Sequence, residues 1–478
     1  MMTSDEMIAL SAGEAVTAMR DGRVTALAYA EALLARCAAG VELNAFITLD
    51  PDAVRAQARA ADARRAAGEV LGPLHGLPVP VKDSINTADL PTTAGTSALR
   101  QFRPVADASV VARLRAAGAI VLGKTNLHEL SLGWTSSNMA YGPVRNPWDL
   151  SRIPGGSSGG TAAAVAAGMA PLGLAEDTQG SIRVPAALCG IAGFRPTTGR
   201  YPSDGCAPIS CEFDQVGPHA RCVSDLVLFD GVITGQTAPV VVPPLVGLRL
   251  GIAPDYYFAG LDPALAGVVD SVIERLARAG ATIVRADLPE LGALIDAITL
   301  PVQLHDVVPS LTAWLAASGA TTGFDALHAD VSLDVKFVLD TYAVPSAPNA
   351  ISEEYYTAAI IERLPALRAL LAGWFAENRV DAMLLPATMV TATLIGADGL
   401  VRIGDADVPF ATAVGRNIAP ASTAGLPGLV LPAGLANGLP VAIELDGPAG
   451  SDRTLLGVGI AVEALLGPLP SPPWISAA

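Results

Sequence analysis

The alternation of apolar and polar positions along the chain predicts helices that alternate with short buried strands. Apolar residues recur every three or four positions over 11–38 and 50–68, which indicates amphipathic helices. Residues 76–82, GLPVPVK, form an apolar run with the length of a buried strand. Residues 107–126 combine a helical pattern, a glycine stop and an apolar strand, and the same combination recurs at 262–285 and 353–387.

The C-terminal part of the chain adds a hairpin and a helix. Residues 428–448 form two apolar runs joined by Asn-Gly, the strongest short signal for a tight hairpin turn. Residues 451–467 have a helical pattern, with Ser451 or Asp452 as the N-cap. Helices that alternate with short strands predict a layered α/β fold.

The chain contains no low-complexity linker, internal repeat or clear domain boundary. We therefore expect a single domain over 1–478, with N-terminal helices over 1–68. The least regular part is 288–350, where Pro, Gly, Trp and Tyr are mixed. This composition predicts a helical excursion over the core that covers a pocket.

Charge and cysteine content exclude several classes of function. The net charge of −16 repels phosphate backbones, so nucleic-acid binding is not expected. The acidic N-terminus lacks the basic region of a signal peptide, and the apolar segment 161–175 is too short for a membrane span. Five cysteines without a CxxC spacing fit reduced thiols in a cytoplasmic protein without a metal site.

Lysine is scarce, and one lysine ends an apolar run. The chain's lysines are Lys82, Lys124 and Lys336. The prolines and valines before Lys82 predict burial, which lowers a lysine pKa because the ammonium is desolvated. A base near neutral pH needs a pKa of roughly 7–8, a change of roughly 3–5 kcal/mol. Lys82 is therefore either a strand-end lysine or a base.

Two serine segments complete the candidate chemistry. The segment GGSSGG holds Ser157 and Ser158 between glycines that permit close backbone approach, and no Gly-Lys-Ser/Thr follows to make a P-loop. The segment EDTQGSIRVPA, 176–186, holds Ser181 but lacks the G-x-S-x-G pattern of an α/β-hydrolase elbow. From these residues alone, Ser181 is either a turn serine or a nucleophile whose base is not histidine.

Together, Lys82, GGSSGG and QGSIR resemble the amidase signature family. The resemblance implies a three-layer αβα fold with a mixed central sheet flanked by helices. It also implies a Ser–cis-Ser–Lys triad, in which Ser181 is the nucleophile, Ser157 follows a cis peptide and relays the proton, and Lys82 is the base. Ser158 is the other candidate for the relay.

The same resemblance assigns roles around the nucleophile. It implies an oxyanion hole formed by the backbone N–H groups of Thr178, Gln179, Gly180 and Ser181. Gln179 stands where the family commonly has glycine, so its side chain either narrows the site and contacts substrate or points away. Asp177 and Arg183 are expected to form a structural ion pair, with Ser158 as further support.

The substrate class follows from the motifs around the site. LHELSLGWTSSN and the segment around residue 200 are most similar to mandelamide hydrolases and indoleacetamide hydrolases. In relatives, the loop that corresponds to Leu132, Gly133 and Trp134 lines the acyl pocket. An indole in this loop suits an aryl or arylalkyl amide. Phe213 replaces an arginine of these relatives, which weakens the preference for anionic substrates. No metal or cofactor is expected.

Several alternatives remain at this point. His75 and His128 are the other candidates for a base. The same mechanism acts on carbamates, esters or anilides in some members of the family. The catalytic subunit of a tRNA amidotransferase shares the triad, and a non-catalytic scaffold is a further class. The expected partner is a small-molecule amide, with a homodimer left open as the assembly.

Overall fold

The computed structural model describes residues 2–397 and 399–474. All predicted site residues lie within these ranges. The strands, in chain order, are β1 (Phe46–Leu49), β2 (Pro78–Lys82), β3 (Ile120–Thr125), β4 (Ser137–Asn138), β5 (Gly142–Pro143), β6 (Leu172–Asp177), β7 (Ala192–Arg195), β8 (Gln215–Ala220), β9 (Arg249–Ile252), β10 (Thr282–Arg285), β11 (Ala382–Pro386), β12 (Leu400–Ile403), β13 (Ala406–Pro409), β14 (Gly428–Ala436) and β15 (Leu439–Asp446).

Helices surround these strands. In chain order they are α1 (Ser4–Ala9), α2 (Ala12–Arg20), α3 (Ala26–Ala39), α4 (Pro51–Ala66), α5 (Ser109–Ala116), α6 (Gly159–Ala166), α7 (Arg183–Cys189), α8 (Val223–Thr234), α9 (Pro254–Tyr257), α10 (Pro263–Arg278), α11 (Leu291–Ala317), α12 (Phe324–Asp330), α13 (Leu333–Val338), α14 (Glu353–Ala358), α15 (Leu364–Asn378), α16 (Phe410–Gly415), α17 (Ala419–Ala424) and α18 (Asp452–Leu466). Short 3₁₀ segments lie at Val41–Leu43, Ser97–Leu99 and Glu129–Ser131, and π-helical turns at Leu339–Ala343 and Ala359–Arg363.

One large mixed sheet forms the centre of the fold, as predicted. Its 11 strands follow the order β1-β3-β2-β6-β8-β7-β14-β15-β11-β9-β10. Strands β3, β2 and β6 run parallel to one another, whereas the pairs β6–β8, β8–β7, β7–β14 and β14–β15 are antiparallel. Strands β2, β6 and β8 are buried along their whole length, because helices cover the sheet.

The predicted elements are present, and the N-terminal stretch 1–68 also contains β1, a strand of the central sheet that the pattern did not predict. The region 11–38 forms two helices, α2 and α3, because Gly22 adopts a φ of +73° and ends the first one. The hairpin of β14 and β15 and the final helix α18 lie where the pattern placed them. Ser451 is the N-cap residue of α18, but its side chain makes no capping hydrogen bond, and Asp452 instead accepts from Thr197.

The region 288–350 is largely helical. Its main element, α11, has 27 residues and contains Pro301 and Pro309. By length and composition alone α11 could cross a membrane, but one helix of this kind is weak evidence that a protein spans a membrane. Its apolar residues pack into two hydrophobic clusters of the protein, through Ile298 in one and Leu311 in the other. The helix therefore behaves as a packed core element.

Candidate active site

Lys82 is the last residue of β2. The parallel neighbour strand β6 also has its C-terminus at this end of the sheet. The side chain of Lys82 is fully buried, and Nζ lies 2.6 Å from Ser157 Oγ. Burial lowers the pKa of Lys82, because the ammonium loses its hydration, while the charge of Glu176 acts in the opposite direction. The position therefore combines a buried amine with a hydroxyl partner, as a lysine base requires.

Ser157 belongs to a glycine loop that packs closely against its surroundings. The peptide bond between Gly156 and Ser157 is cis, as the family resemblance implied. Gly155 has a φ of +85°, and a Cβ on Gly156 would lie 2.8 Å from the backbone carbon of Trp134. Both positions therefore favour glycine.

The two serines of this loop have different partners. Ser157 Oγ faces Lys82, whereas Ser158 Oγ donates a hydrogen bond of 3.1 Å to the backbone oxygen of Glu176. The backbone N–H of Ser158 donates to the carbonyl of Ser181 at 3.2 Å. Of the two relay candidates, Ser157 is thus the one in contact with the lysine, and Ser158 joins the glycine loop to the segment that carries Ser181.

Ser181 lies in the turn between β6 and α7 and retains 4% of its surface, at the wall of a cavity of about 130 Å³. Within residues 2–397 and 399–474, its hydroxyl makes no hydrogen bond, including none to Ser157 Oγ. Lys82 and Ser157 are therefore hydrogen-bonded in this structure, whereas the hydroxyl of Ser181 is available to contact a ligand. Catalytic hydrogen bonds often tighten only when substrate binds.

A buried ion network holds the turn that carries Ser181. Asp177 accepts hydrogen bonds from the backbone N–H of Gly180 at 2.7 Å and of Ile182 at 3.1 Å. Arg183 Nε lies 3.1 Å from Asp177, and Arg183 Nη1 lies 2.5 Å from Glu444. Burial alone would raise the pKa of Asp177, but the nearby arginines hold it well below its usual range.

This network engages one of the four predicted oxyanion-hole donors. The N–H of Gly180 is already donated to Asp177 in this structure. Among the described residues, the N–H groups of Thr178, Gln179 and Ser181 have no hydrogen-bond partner. The hydroxyl of Thr178 donates to Asp214 at 2.5 Å, which anchors the start of the turn.

The predicted acyl-pocket residues lie together at the cavity beside Ser181. Leu132, Gly133, Trp134 and Gln179 all line it. Trp134 Nε1 donates to the backbone oxygen of Gln179 at 2.8 Å, so the indole is tied to the turn that carries Ser181. The apolar part of the wall includes Ile209, Leu300, Leu304 and Val338.

Comparison with known proteins shows the family of the chain. The sequence profile of the family described as Amidase matches residues 28–456. The chain belongs to the amidase family. This amidase is 39% identical over 459 residues to the indoleacetamide hydrolase of Agrobacterium vitis, covering 95% of this chain and 96% of that protein. It is 40% identical over 477 residues to the mandelamide hydrolase of Pseudomonas putida, covering 97% and 92%.

A solved structure and a further relative complete the comparison. The native peptide amidase of Stenotrophomonas maltophilia superposes with a TM-score of 0.82 at 30% identity, covering 98% of this chain and 99% of that one. A glutamyl-tRNA(Gln) amidotransferase component from Roseiflexus castenholzii is 38% identical, covering 95% of each chain. The protein is therefore an amide-hydrolysing enzyme with the amidase-signature fold.

Two residues of the amidase site were not found from the sequence. Glu176 Oε1 lies 2.5 Å from Lys82 Nζ, and Gln303 of α11 donates to Gln179 Oε1 at 3.0 Å. An acidic residue inside the apolar run of β6 was a visible signal for Glu176. No local pattern marks Gln303. This contact keeps the side chain of Gln179 at the cavity wall, so it does not point away from the site, while a contact of Gln179 with substrate stays a prediction.

In the described residues, the histidine rings of the amidase make no hydrogen bond to the hydroxyls of Ser157 and Ser181, although the backbone N–H of His128 donates to the carbonyl of Ser157 at 3.1 Å. The ring of His128 contacts Thr135 at 3.1 Å and Asp334 at 3.3 Å. His219 Nε2 lies 2.7 Å from the backbone oxygen of Ile182, and burial lowers its pKa to about 4. His75 is buried, which lowers its pKa. In the described part of the chain no histidine ring is within hydrogen-bond distance of Ser157 or Ser181.

Phe213 does not line the cavity. It is fully buried in a hydrophobic cluster with residues such as Leu291 and Leu364. Phe213 therefore offers no direct contact to a ligand beside Ser181. A larger cavity of about 930 Å³ lies between α1 and the C-terminal segment, and none of the predicted site residues line it.

Proposed function

We propose that this amidase hydrolyses the C–N bond of a small aryl or arylalkyl carboxylic amide through an acyl-Ser181 intermediate. The observation that carries the proposal is the 2.6 Å contact between Lys82 Nζ and Ser157 Oγ, where no histidine ring of the described residues makes a hydrogen bond to Ser157 or Ser181. A serine nucleophile needs a base within reach. The buried lysine, acting through Ser157, is the group that can supply it.

The proposed reaction moves protons along one path. Ser181 Oγ attacks the substrate carbonyl carbon and passes its proton to Ser157, whose own proton goes to Lys82. The C=O electron pair moves to the oxygen, and the N–H groups of Thr178, Gln179 and Ser181, which have no partner among the described residues, stabilise that charge. When the C–N bond breaks, the proton returns through Ser157 to the leaving nitrogen. Water then attacks the acyl-enzyme by the same path and releases the acid and free Ser181.

The cavity supports a small, flat acyl group. Its volume of about 130 Å³ is near that of an apolar cavity of roughly 150 Å³ that binds benzene. The cavity is lined by an aromatic side chain, the indole of Trp134, and by an aliphatic one, that of Leu300. The names of two similar relatives, indoleacetamide hydrolase and mandelamide hydrolase, describe amides of this size.

The proposal involves no metal or cofactor. Within the described residues no group of three or more His, Cys, Asp and Glu side chains has the geometry to hold a metal ion. We further propose a cytoplasmic location and a small-molecule partner. The likeness to a glutamyl-tRNA(Gln) amidotransferase component keeps glutamine as a second candidate substrate, although the net charge of −16 does not favour a complex with RNA.

The test is a substrate panel combined with active-site labelling. The panel contains mandelamide, indole-3-acetamide, a p-nitroanilide, a small carbamate and glutamine, with products identified by mass spectrometry. We expect an aryl or arylalkyl amide to give the highest kcat/KM. A fluorophosphonate should label Ser181 in the wild type and not in Ser181→Ala.

The matched control is Ser271→Ala, which removes an exposed hydroxyl on α10. This variant should retain both labelling and activity. Labelling at another residue, or full activity in Ser181→Ala, would overturn the nucleophile assignment. A preference for glutamine over every aryl amide would overturn the substrate class and leave the nucleophile in place.

A further inference from the structure

A carboxylate contacts the amine of Lys82 in addition to the hydroxyl of Ser157. Glu176 Oε1 lies 2.5 Å from Lys82 Nζ, while Ser157 Oγ lies 2.6 Å from the same nitrogen. The lysine side chain is fully buried, and that of Glu176 is 5% exposed. The amine therefore lies between two polar groups, the hydroxyl of Ser157 and a fixed carboxylate.

Glu176 is held in place from two sides. Its backbone belongs to β6, where its carbonyl accepts from Ser158 Oγ. Its carboxylate accepts a hydrogen bond of 2.7 Å from Ser131 Oγ. Ser131 and the preceding Leu130 have φ values of 61° and 50°, a conformation that costs energy in non-glycine residues and persists where the surroundings enforce it. The backbone conformation of Leu130 and Ser131 places the Ser131 hydroxyl within hydrogen-bond distance of the Glu176 carboxylate.

We propose that Glu176 is a positioning residue, which holds the Lys82 amine against Ser157 and stabilises the ammonium that Lys82 becomes when Ser181 attacks. The inference rests on the proposed lysine-based mechanism and adds to it a residue with its own role. Forming an ammonium in a fully buried site is unfavourable unless an opposite charge is in contact with it. Glu176 is the carboxylate in direct contact with that nitrogen.

The other titratable groups facing Lys82 come from several elements. Asp177 on β6, Asp214 before β8, His219 on β8 and Cys206 all act on the lysine through space. None of these groups makes a hydrogen bond with Nζ in the described part of the chain. Glu176, which does make this hydrogen bond, should therefore affect the pKa of Lys82 more than any of these groups does.

Burial and Glu176 act on the pKa of Lys82 in opposite directions. Burial lowers it, and the Glu176 charge and hydrogen bond raise it. In Glu176→Gln the ammonium loses its partner, so the pKa of Lys82 falls further. The acid limb of kcat/KM should then move to lower pH, by about 1–3 units for the loss of an opposite charge in contact. The plateau should fall about tenfold or more, because the base is weaker and less well held.

The experiment measures the pH profile of kcat/KM for the preferred amide in the wild type, Glu176→Gln and Asp225→Asn. Asp225 is equally buried and accepts from the backbone N–H of Ala12 and Gly13, far from the serines in the chain. We expect both effects in Glu176→Gln and neither in Asp225→Asn. A wild-type profile in folded Glu176→Gln, or an equal shift in Asp225→Asn, would overturn the proposal.

If Glu176→Gln does not fold, Ser131→Ala takes over the test. Ser131→Ala removes the hydrogen bond that holds the carboxylate against the lysine, so Glu176 should stabilise the ammonium less well. The acid limb should move to lower pH, in the same direction as in Glu176→Gln but by less, and an unchanged limb would overturn the role of Glu176. Absence of fluorophosphonate labelling at Ser181 in the wild type would instead overturn the proposed function itself.

Discussion

Gln303 donates a hydrogen bond of 3.0 Å to Gln179, and this contact ties helix α11 to the turn that carries Ser181. The two residues are far apart in the chain and lie on elements that the sequence alone does not bring together. Gln179 is also held through its carbonyl by Trp134. The wall of the cavity is therefore built from a helix, an indole and the nucleophile turn at once.

Gln303→Leu keeps the volume of the side chain and removes the hydrogen bond. We expect KM to rise and the ranking of aryl amides to change, because the Gln179 side chain is released at the cavity wall. The measurement is kcat and KM for the full panel. Asp296→Asn, at an exposed position of the same helix, is the control and should retain the wild-type ranking. An unchanged ranking in Gln303→Leu would show that the contact has no part in specificity.

The second prediction concerns the base. In the free enzyme Lys82 acts as a base only when neutral, so kcat/KM should rise with pH through the pKa of the Lys82–Ser157–Ser181 network and be high at mildly alkaline pH. Burial lowers the pKa of Lys82, which brings this limb down toward neutrality. Lys82→Ala should lose activity by about 10²–10⁴-fold and flatten the limb.

Histidine variants provide the controls for this prediction. His75→Ala and His128→Ala should leave the midpoint of the limb in place, because neither ring reaches a serine of the site. The three pH profiles of kcat/KM, recorded on one substrate, are compared directly. A limb that survives in Lys82→Ala and disappears in either histidine variant would contradict the lysine mechanism.

The third prediction concerns the ion network beneath Ser181. Arg183→Met leaves the buried carboxylates of Asp177 and Glu444 without their shared cation. We expect a loss of about 3–5 kcal/mol in the free energy of unfolding, measured by urea denaturation. Arg278→Ala removes an exposed ion pair with Glu274 at 3.5 Å and should cost less than about 1 kcal/mol. Similar losses in the two variants would refute the assignment of Arg183.

The fourth prediction concerns acid stability. Burial lowers the pKa of His219 to about 4, below its unfolded value near 6.5. The unfolded chain therefore takes up this proton first, so His219 makes the fold less stable as the pH falls from about 6.5 to about 4. The difference in unfolding free energy between wild type and His219→Gln should change by roughly 3 kcal/mol over this range.

Comparison with the variant is needed because other groups titrate in the opposite sense. Burial raises the pKa values of Asp214 and Glu463 to about 7, so their contribution to stability increases as the pH falls. These contributions are common to the wild type and His219→Gln and cancel in the difference. A difference that stays constant between pH 7 and pH 4 would contradict the buried neutral state of His219.

Local patterns in the sequence determined the elements and the chemistry-bearing segments. The apolar run before Lys82 predicted a buried strand, and β2 is buried throughout. The patterns at 107–126, 262–285 and 428–448 predicted elements that are present, because a helix or strand repeats its apolar positions with the period of its own backbone. The family resemblance supplied the order of Lys82, Ser157 and Ser181.

Only the tertiary structure decided which side chains meet. Ser157 and Ser158 are neighbours in the chain, yet one faces Lys82 and the other the carbonyl of Glu176. The N–H of Gly180 is used by Asp177, and Gln303 reaches Gln179 from a helix more than a hundred residues away. These contacts depend on strand order, turn geometry and helix packing between distant segments, which a local pattern of apolar and polar residues does not encode.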